Sequence, residues 1–320
     1  ETGILALYKL VRKVGEEIKH FLPIFNLPHL ISLPFKYPAL FKCYSKTLQD
    51  VLDEYIKNRH LRFLFSAMIF MFLGLPPSRL SALMGLSFFY FAHYEGLFYP
   101  QGGAHRIPQV LSSVVERYGG RIRLNTRVEK IIVKRRGVKA VKTTDGEEIS
   151  TQIVISNVDA GQTFWHFVGR DKLPSWLNRK LEKFKPSISF NQLWLCLNSS
   201  LDKFALDSSE AIIFHSEDME SVYKECYKKH FVQSGAVAIP TLLDPQLAPQ
   251  GCSIICIISP TGSPVPEYGG GYQGYKDRLA RHLTGIAERI LPGVSEYICL
   301  LYTSDAADEG LGVDLGGRRI

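Results

Sequence analysis

The stretch Leu97 to Ala160, LFYPQGGAHRIPQVLSSVVERYGGRIRLNTRVEKIIVKRRGVKAVKTTDGEEISTQIVISNVDA, carries the clearest pattern of the chain. After a Gly-Gly turn, apolar residues recur at helical spacing from Ile107 to Tyr118. Pro108 stands in the first turn and glycines 119–120 stand where such a helix must stop. The spacing predicts one helix with a buried apolar face.

The residues after this helix have the pattern of strands. Residues 121–124 alternate, residues 128–133 are rich in β-branched side chains, and residues 144–146, Thr-Asp-Gly, are typical of a hairpin turn. Residues 153–155, Ile-Val-Ile, then return to the sheet. Since a helix that leads into a strand is the repeating unit of a doubly wound nucleotide-binding sheet, we expect this segment to belong to one.

Four consecutive segments resemble the middle of the flavin-dependent phytoene desaturase and carotenoid isomerase family, which includes retinol saturase-like enzymes. They are YPQGGAHRIPQVL (99–111), GGRIRLNTRVEKIIV (119–133), VKAVKTTDGEEI (138–149) and STQIVISNVDA (150–160). Each motif is weak alone, and their order gives the resemblance its specificity. It implies an α/β (α+β) chain, with a partial Rossmann-like FAD-binding domain and a substrate domain of antiparallel sheet plus helices.

The same resemblance implies FAD as the cofactor and names its contacts. In the family, the strand that carries the Thr-Arg-Val element lies against the adenine, so the backbone of Val128 would bond the adenine edge. Arg127 and Glu129 would flank that contact, and Asn157 would belong to the same site. Val128 can equally be an ordinary strand valine, because a backbone contact leaves no mark on the side chain.

The resemblance also implies a loop that faces the substrate or the flavin. Its residues are Tyr99, Pro100, Gly102 and Gly103. A double glycine after proline lets the backbone approach a ring or a polyene closely, although a plain turn would use it too. Polar candidates near this loop are His93, His105 and Arg106, which as lone residues are also typical of structural roles.

The first hundred residues predict helices. Residues 48–56 share an apolar face, a Pro-rich break covers Pro23 to Pro38, and Asn58 is placed to cap a helix that runs to Leu75. Its segment FLFSAMIFMFLGL (63–75) is apolar almost all round, but it is about half the length that spans a bilayer. Together with the aromatic helix that follows, it forms either a buried core pair or a monotopic membrane dip beside a hydrophobic substrate entrance.

The second half of the chain predicts mainly strands rather than helices, because apolar and polar residues alternate in several short runs. Strands are expected at residues 187–198, 211–215, 237–243 and 253–259, with a turn at Asp244 to Gly251 that resembles the family's Asp-Pro-x-x-x-Pro-x-Gly element, followed by a helix over 277–291. The expected domains are a helical, membrane-facing part (1–96), an FAD-binding segment (97–170), a substrate-domain sheet (171–275), a helix that returns to the FAD domain (276–299) and a non-native tail (300–320).

Two glycine-rich stretches are not assigned to phosphate binding. Residues 269–274, GGGYQG, match GxGxxG literally, but a proline-containing loop separates them from the preceding strand. Residues 314–317 are equally unconvincing as a flavin motif. Because the family's own fingerprint lies nearer its N-terminus, and because the chain opens on Glu1-Thr2-Gly3 without methionine, we expect an internal fragment.

Composition excludes several classes of protein. A hydrophobic fraction of 46% in 320 residues supports large cores and more than one domain. The formal charge of +7 favours attraction to anionic lipid over nucleic acid, since no basic stripe alternates with base-stacking aromatics. Neither the six cysteines nor the nine histidines have metal-ligand spacing, and Cys252 and Cys256 are expected to be core thiols.

The function predicted from these features is that of an FAD-dependent oxidoreductase acting on a long conjugated isoprenoid, by desaturation, isomerisation or saturation. Such a protein would be cytoplasmic and peripherally bound to a membrane, with a hydrophobic polyene as substrate. Two alternatives stay open: a flavin amine oxidase-type enzyme with a polar substrate, and a non-catalytic membrane-associated binding protein of the same fold. Neither catalytic residues nor an oligomeric state can be assigned from the sequence.

Overall fold

The computed structural model describes residues 2–21, 27–134, 137–185, 187–204, 208–229, 231–262, 271–304 and 318–319. The chain divides into two compact units: unit 1 comprises Glu1–Arg106 and Ser187–Ile320, and unit 2 comprises Ile107–Pro186. The five-part division expected from the sequence stays a prediction.

The regular elements alternate between helix-rich and strand-rich parts of the chain. The helices are α1 (Thr2–Lys19), α2 (Leu27–Lys36), α3 (Pro38–Cys43), α4 (Leu48–Tyr55), α5 (Arg59–Leu73), α6 (Ala82–Tyr90), α7 (Arg106–Arg117), α8 (Ser175–Leu181), α9 (Met219–Lys228), α10 (Pro240–Leu243) and α11 (Gly271–Ile290). The strands are β1 (Val128–Lys134), β2 (Gly137–Thr143), β3 (Glu148–Ser150), β4 (Ser189–Leu197), β5 (Glu210–Ile213), β6 (Gly235–Ala238), β7 (Ser253–Thr261), β8 (Ile298–Ser304) and β9 (Arg318–Arg319).

The helical part of unit 1 surrounds one apolar core. Side chains from α1, α3, α4, α5 and α6 fill it, with Leu7, Leu52 and Phe89 completely buried. Side-chain caps start two of these helices, and the cap at Asn58 is the one that the sequence predicts. Thr47 and Asp50 form a capping box at α4, and the Asn58 side chain accepts a hydrogen bond from the Leu61 N–H at 3.0 Å.

The Pro-rich segment is more helical than the sequence predicts. We expected a break from Pro23 to Pro38, but α2 occupies residues 27–36 of it. Pro28 is the second residue of that helix, where the missing N–H would have no intrahelical partner in any case. Residues 22–26 of the expected break lie outside the described residues.

The apolar pair α5 and α6 is partly core and partly surface. Ile69, Phe70 and Phe89 are buried, as a core pair requires, whereas Leu64, Phe72 and Met84 are exposed, as is Phe91 directly after α6. In the part of the chain that the structure describes, no helix joins the length and the hydropathy that a bilayer crossing needs. The exposed apolar surface of these two helices therefore consists of a few side chains, while the rest of the pair is packed in the core.

The rest of unit 1, within the described residues, consists of a six-stranded sheet with the order β5-β6-β7-β4-β8-β9 and the helices α9, α10 and α11. Its central strand β4 pairs antiparallel with β7 along its whole length, from Ser189 opposite Thr261 to Leu197 opposite Ser253. Alternate residues of β4 are fully buried, namely Leu193, Leu195 and Leu197. They share one core with the apolar face of α11, which contributes Leu279, Leu283 and Ile286. The period of two seen in the sequence thus marks the face of the sheet that packs against α11.

Two boundaries in this part differ from the prediction. The strand expected over 237–243 ends at Ala238, because Pro240 fixes a helical φ and starts α10. The residues 300–304, which we assigned to a non-native tail, continue β8 and pair with β4. Residues 305–317 of the tail, with the glycine-rich stretch 314–317, lie outside the described residues, as do Gly269 and Gly270 of the GxGxxG match.

Unit 2 contains the antiparallel sheet β1-β2-β3, and its hairpin confirms the predicted turn. Gly146 takes the left-handed conformation, with φ of 91°, between β2 and β3. The strands expected at 121–124 and 153–155 are wrong, since the structure assigns no strand to either run. A strand needs a paired neighbour, and no described strand lies alongside them; Leu124 and Ile155 are 80% and 95% exposed.

Helix α7 confirms the predicted helix but not its predicted burial. Its apolar face, Ile107, Val110, Leu111, Val114 and Val115, is exposed. A continuous apolar face of this kind is a surface that normally associates with another element.

The six cysteines are free thiols. Cys256 is buried in β7, where burial raises its pKa to about 12, so it is a core thiol as predicted. Cys252 is only partly buried, which makes its assignment to the core wrong.

The difference between core and surface within α5 gives a direct test. We expect Phe70→Ala to lower the free energy of unfolding by about 3–5 kcal/mol, because it empties a fully buried site. Phe72→Ala, on the same helix but 50% exposed, should cost less than about 1 kcal/mol. Urea unfolding of the two variants measures the difference, and equal losses would contradict this description of the helix.

Candidate functional site

The loop from Tyr99 to Gly103 in unit 1 is a tight turn built on two glycines. Gly102 and Gly103 have φ of 84° and 86°, which side-chain-bearing residues rarely adopt. The Gly103 N–H donates to the Pro100 carbonyl at 2.9 Å, and the Arg106 N–H donates to the Gly103 carbonyl at 3.0 Å. The chain thereby reverses just before α7 begins.

A buried carboxylate holds this loop in place. The Gly102 N–H donates to Oδ2 of Asp244 at 2.7 Å, and the Gln246 N–H donates to Oδ1 of the same residue at 3.1 Å. Asp244 is only 8% exposed. Hydrogen bonds from backbone N–H groups to a carboxylate are charge-assisted, so they are stronger than bonds between neutral groups.

Tight packing adds to the positive φ in disfavouring a side chain at the second glycine. A Cβ added to Gly103 would lie 3.1 Å from Cδ2 of Leu247 and 3.8 Å from Oη of Tyr99. Both neighbours belong to unit 1. The Tyr99–Gly103 loop and the Asp244–Leu247 connection are therefore packed together through the backbone of the loop.

Three exposed, mainly apolar side chains stand three to five residues before the first glycine, and the exposed polar Gln101 directly precedes it. Leu97, Phe98 and Tyr99 are exposed, whereas Gly103 is buried. A bare glycine backbone beside exposed aromatic rings offers a surface on which a flat apolar group can lie closely.

The three polar candidates lie in different surroundings. His93 contacts α1 through a hydrogen bond between its Nε2 and Oη of Tyr8 at 3.0 Å, and its ring lies 5.1 Å from the Tyr8 ring. Burial, followed by the charge of Tyr94, raises the pKa of Tyr8. His105 and Arg106 are exposed at the start of α7, so only these two directly follow the glycine loop.

The residues assigned to FAD by resemblance lie in unit 2. Arg127 and Val128 are at the start of β1, where the Arg127 carbonyl accepts a hydrogen bond from the Thr144 N–H at 2.9 Å. The Glu129 carboxylate pairs with Lys142 at 3.3 Å. Asn157 is exposed in the irregular segment that leads to the next helical turn.

An unusual backbone conformation fixes the entry into β1. Among the described residues other than glycine, Asn125 has a positive φ, of 55°. Asparagine tolerates this region because its short side chain bonds locally. The turn at Asn125 thus determines where Arg127 and Val128 begin the strand.

Sequence reasoning missed the role of Asp244. We noted its segment only as a turn, although Asp before Pro at a turn is also the pattern of a carboxylate that accepts backbone N–H bonds. Its partner Gly102 is 142 residues away, and nothing local in the sequence joins the two. In the part of the chain that the structure describes, no group of three or more His, Cys, Asp or Glu residues is placed to hold a metal.

The Asp244 contact can be tested by stability. Asp244→Ala removes the acceptor for two backbone N–H groups and is expected to lower the free energy of unfolding by about 1–3 kcal/mol. Asp244→Asn keeps one acceptor oxygen and should lose less. Chemical unfolding of both variants measures this, and an Ala variant as stable as the parent would refute the contact.

Comparison with known proteins places the chain among flavoproteins. The family model for flavin containing amine oxidoreductase matches residues 40–219, more than half of the chain. The neurosporene-forming phytoene desaturase of Rhodobacter capsulatus is 29% identical over 255 residues, which are 76% of this chain and 47% of that protein. The inactive all-trans-retinol 13,14-reductase of Danio rerio is 25% identical over 283 residues, 81% of this chain and 46% of that protein.

The fold agrees with these similarities in sequence. Putrescine oxidase, solved with putrescine bound, superimposes with a TM-score of 0.58 at 13% identity, covering 95% of this chain and 62% of that one. This likeness concerns the fold alone. The chain spans about half the length of the curated relatives that it matches. With helices and antiparallel sheets arranged as in flavin amine oxidases, and a family match over most of its first two thirds, the chain belongs to the flavin containing amine oxidoreductase family, whose cofactor is FAD.

Proposed function

We propose that this chain is part of an FAD-dependent oxidoreductase that acts on a long conjugated isoprenoid. The observation that carries the proposal is the Tyr99–Gly103 loop, in which the Asp244 carboxylate fixes a bare glycine backbone beside exposed aromatic rings. Such a surface suits a flat, apolar chain better than a charged amine. The phytoene desaturase and retinol reductase names of the relatives point to the same class of substrate.

The residues of unit 2 fit one end of the cofactor. The start of β1 is open, with Arg127 exposed and Val128 partly buried, so that backbone and guanidinium groups are accessible to an adenine. We assign Arg127, Val128, Glu129 and Asn157 to FAD binding. When bound, FAD supplies the redox chemistry, and the protein supplies orientation and a dry environment.

The loop residues Tyr99, Pro100, Gly102 and Gly103 are assigned to the face that meets substrate or flavin. Their part is to position the reacting chain, since a backbone fixed by a buried carboxylate keeps its place without side-chain adjustment. No described side chain near the loop is assigned a proton transfer.

We further propose that the protein is cytoplasmic and binds a membrane surface peripherally. The exposed side chains Leu64, Phe72, Met84 and Phe91 support this, because an apolar surface on packed helices beside a basic protein body matches the lipid interface. A polyene dissolved in the bilayer would reach the enzyme from that surface.

One observation favours a second candidate function. The Danio rerio relative is named an inactive all-trans-retinol 13,14-reductase, so a protein similar to this chain is named as lacking the reductase reaction. A non-catalytic binding protein of the same fold would keep FAD or polyene binding without turnover. An amine oxidase-type enzyme is the other alternative, and amine turnover by a chain that ignores polyenes would identify it.

The cofactor assignment is tested on a chain extended to the length of the relatives. Such a chain should purify with FAD, seen by its visible flavin absorption. Arg127→Ala should weaken FAD binding about tenfold, because it removes a charged donor beside the adenine. Flavin fluorescence titration of the apoprotein measures this affinity.

Lys130→Ala is the matched control, since Lys130 is an exposed cation on β1, three residues after Arg127, with no assigned role. It should leave the affinity unchanged. A colourless extended chain that FAD cannot reconstitute would overturn the oxidoreductase proposal. If the Arg127 and Lys130 variants weaken binding equally, the assignment of Arg127 is wrong.

A further inference from the structure

A cationic cavity of about 360 Å³ lies in the helical part of unit 1, away from the glycine loop. Residues of α1, α3 and the end of α4 line it: Ala6, Lys9, Leu10, Lys13, Glu17, Pro38, Ala39, Lys42 and Tyr55. Four of these residues are apolar, and the polar groups comprise three ammonium groups, one carboxylate and one phenol. The cavity therefore carries a surplus of positive charge.

The carboxylate in the cavity is already engaged by the backbone. Glu17 accepts hydrogen bonds from the Ala39 N–H at 3.1 Å and the Leu40 N–H at 2.9 Å, in the first turn of α3. It thus satisfies N–H groups that a helix start leaves open. Its charge is directed at the helix end rather than at the neighbouring lysines.

Two of the lysines take part in none of the ion pairs of the described residues. Lys9 and Lys13 are one turn apart on α1, are exposed, and form no ion pair with any of the described residues. Like charges at this spacing destabilise a helix, and the nearby Lys42 adds to the repulsion. A bound anion would relieve it.

The third lysine is held in a fixed position. Lys42 Nζ donates to Oη of Tyr55 and to Oε1 of Glu54, both at 3.1 Å. These bonds, first from Tyr55 and then from Glu54, raise the pKa of Lys42, so it stays charged. Glu54 also accepts from Lys46 at 2.6 Å, which leaves it shared between two cations.

Exposed apolar side chains accompany the lysines along the chain. Leu5 lies one turn before Lys9 on α1, and Phe41 and Tyr44 stand on either side of Lys42 in the sequence. The Phe41 and Tyr44 rings are 5.5 Å apart. Cations interspersed with exposed apolar groups are the composition of surfaces that bind anionic membranes.

We propose that this cavity binds the phosphate group of an anionic membrane phospholipid. A phosphate offers several oxygens to several ammonium donors, for which lysine is a common partner. At about 360 Å³ the cavity far exceeds the space that one water needs, so it is large enough for a glycerophosphate headgroup and not only for a bare ion. That the bound phosphate belongs to a membrane lipid rests on the membrane association proposed above. That the cavity binds phosphate rests on its lysines and its volume.

The test uses the 320-residue chain and flotation with vesicles. Vesicles of phosphatidylcholine with added phosphatidylglycerol present headgroup phosphates with a net negative charge, whereas in pure phosphatidylcholine vesicles choline neutralises each phosphate. Lys9→Gln/Lys13→Gln should weaken binding to the anionic vesicles about 10- to 30-fold. Lys9→Arg/Lys13→Arg, which keeps both charges, should retain most of the binding.

The matched control is Lys224→Gln/Lys228→Gln, which removes the same charge at the same spacing from exposed positions on α9. It should change binding less than about threefold. Equal losses in the two glutamine variants would show attraction by net charge alone and would overturn the site. Binding of inorganic phosphate without binding to vesicles would overturn the lipid as its source.

These outcomes also separate the site from the proposed function. If the chain binds anionic vesicles but the Lys9/Lys13 variant binds equally well, only the site fails. If the chain binds no vesicles at all, the membrane setting fails together with the site, while the flavin titration still decides the oxidoreductase proposal. Thermal unfolding of each variant, monitored by circular dichroism, confirms that the fold is intact.

Discussion

The antiparallel pairing of β4 with β7 is the constraint on which the rest of unit 1 depends. It runs along the full length of β4 and turns Leu193, Leu195 and Leu197 toward the apolar face of α11. The same strand β7 holds the segment that reaches the glycine loop, because its Ile254 N–H donates to the hydroxyl of Thr241 in α10 at 3.2 Å. Asp244 follows α10 directly. A sheet register set by buried leucines thus determines where a carboxylate meets the Gly102 N–H.

Much of this fold follows from local pattern, and what escapes prediction is long-range. The helix caps at Thr47 and Asn58, the hairpin at Gly146 and the strands β4 and β7 are encoded by short-range signals of polarity and turn chemistry. The link between Gly102 and Asp244 is not, since no periodicity relates positions 142 residues apart. The strand-like runs at 121–124 and 153–155 show the converse: alternation predicts a strand, but a strand forms only beside a partner.

The site residues divide along the same line. The resemblance singled out the glycine pair from its sequence motif, and the positive φ values of Gly102 and Gly103 give the physical reason for that choice. The surroundings of His93 and the counterion-poor lysines of α1 depend on helix packing, which composition does not reveal. In unit 2 the apolar face of α7 is exposed. The amphipathic pattern of this helix is typical of a face that associates with another element.

The most direct test of this account is the hydrogen-exchange rate of the Gly102 amide, resolved by NMR in the folded chain. If the Asp244 carboxylate fixes the loop as described, this exposed-loop amide should exchange slowly, because its release requires the buried carboxylate to lose a charge-assisted bond. Protection should disappear in the Asp244→Ala variant while the amides of β7 stay protected. Exchange of the Gly102 amide at the rate of an unstructured peptide in the parent chain would contradict the account.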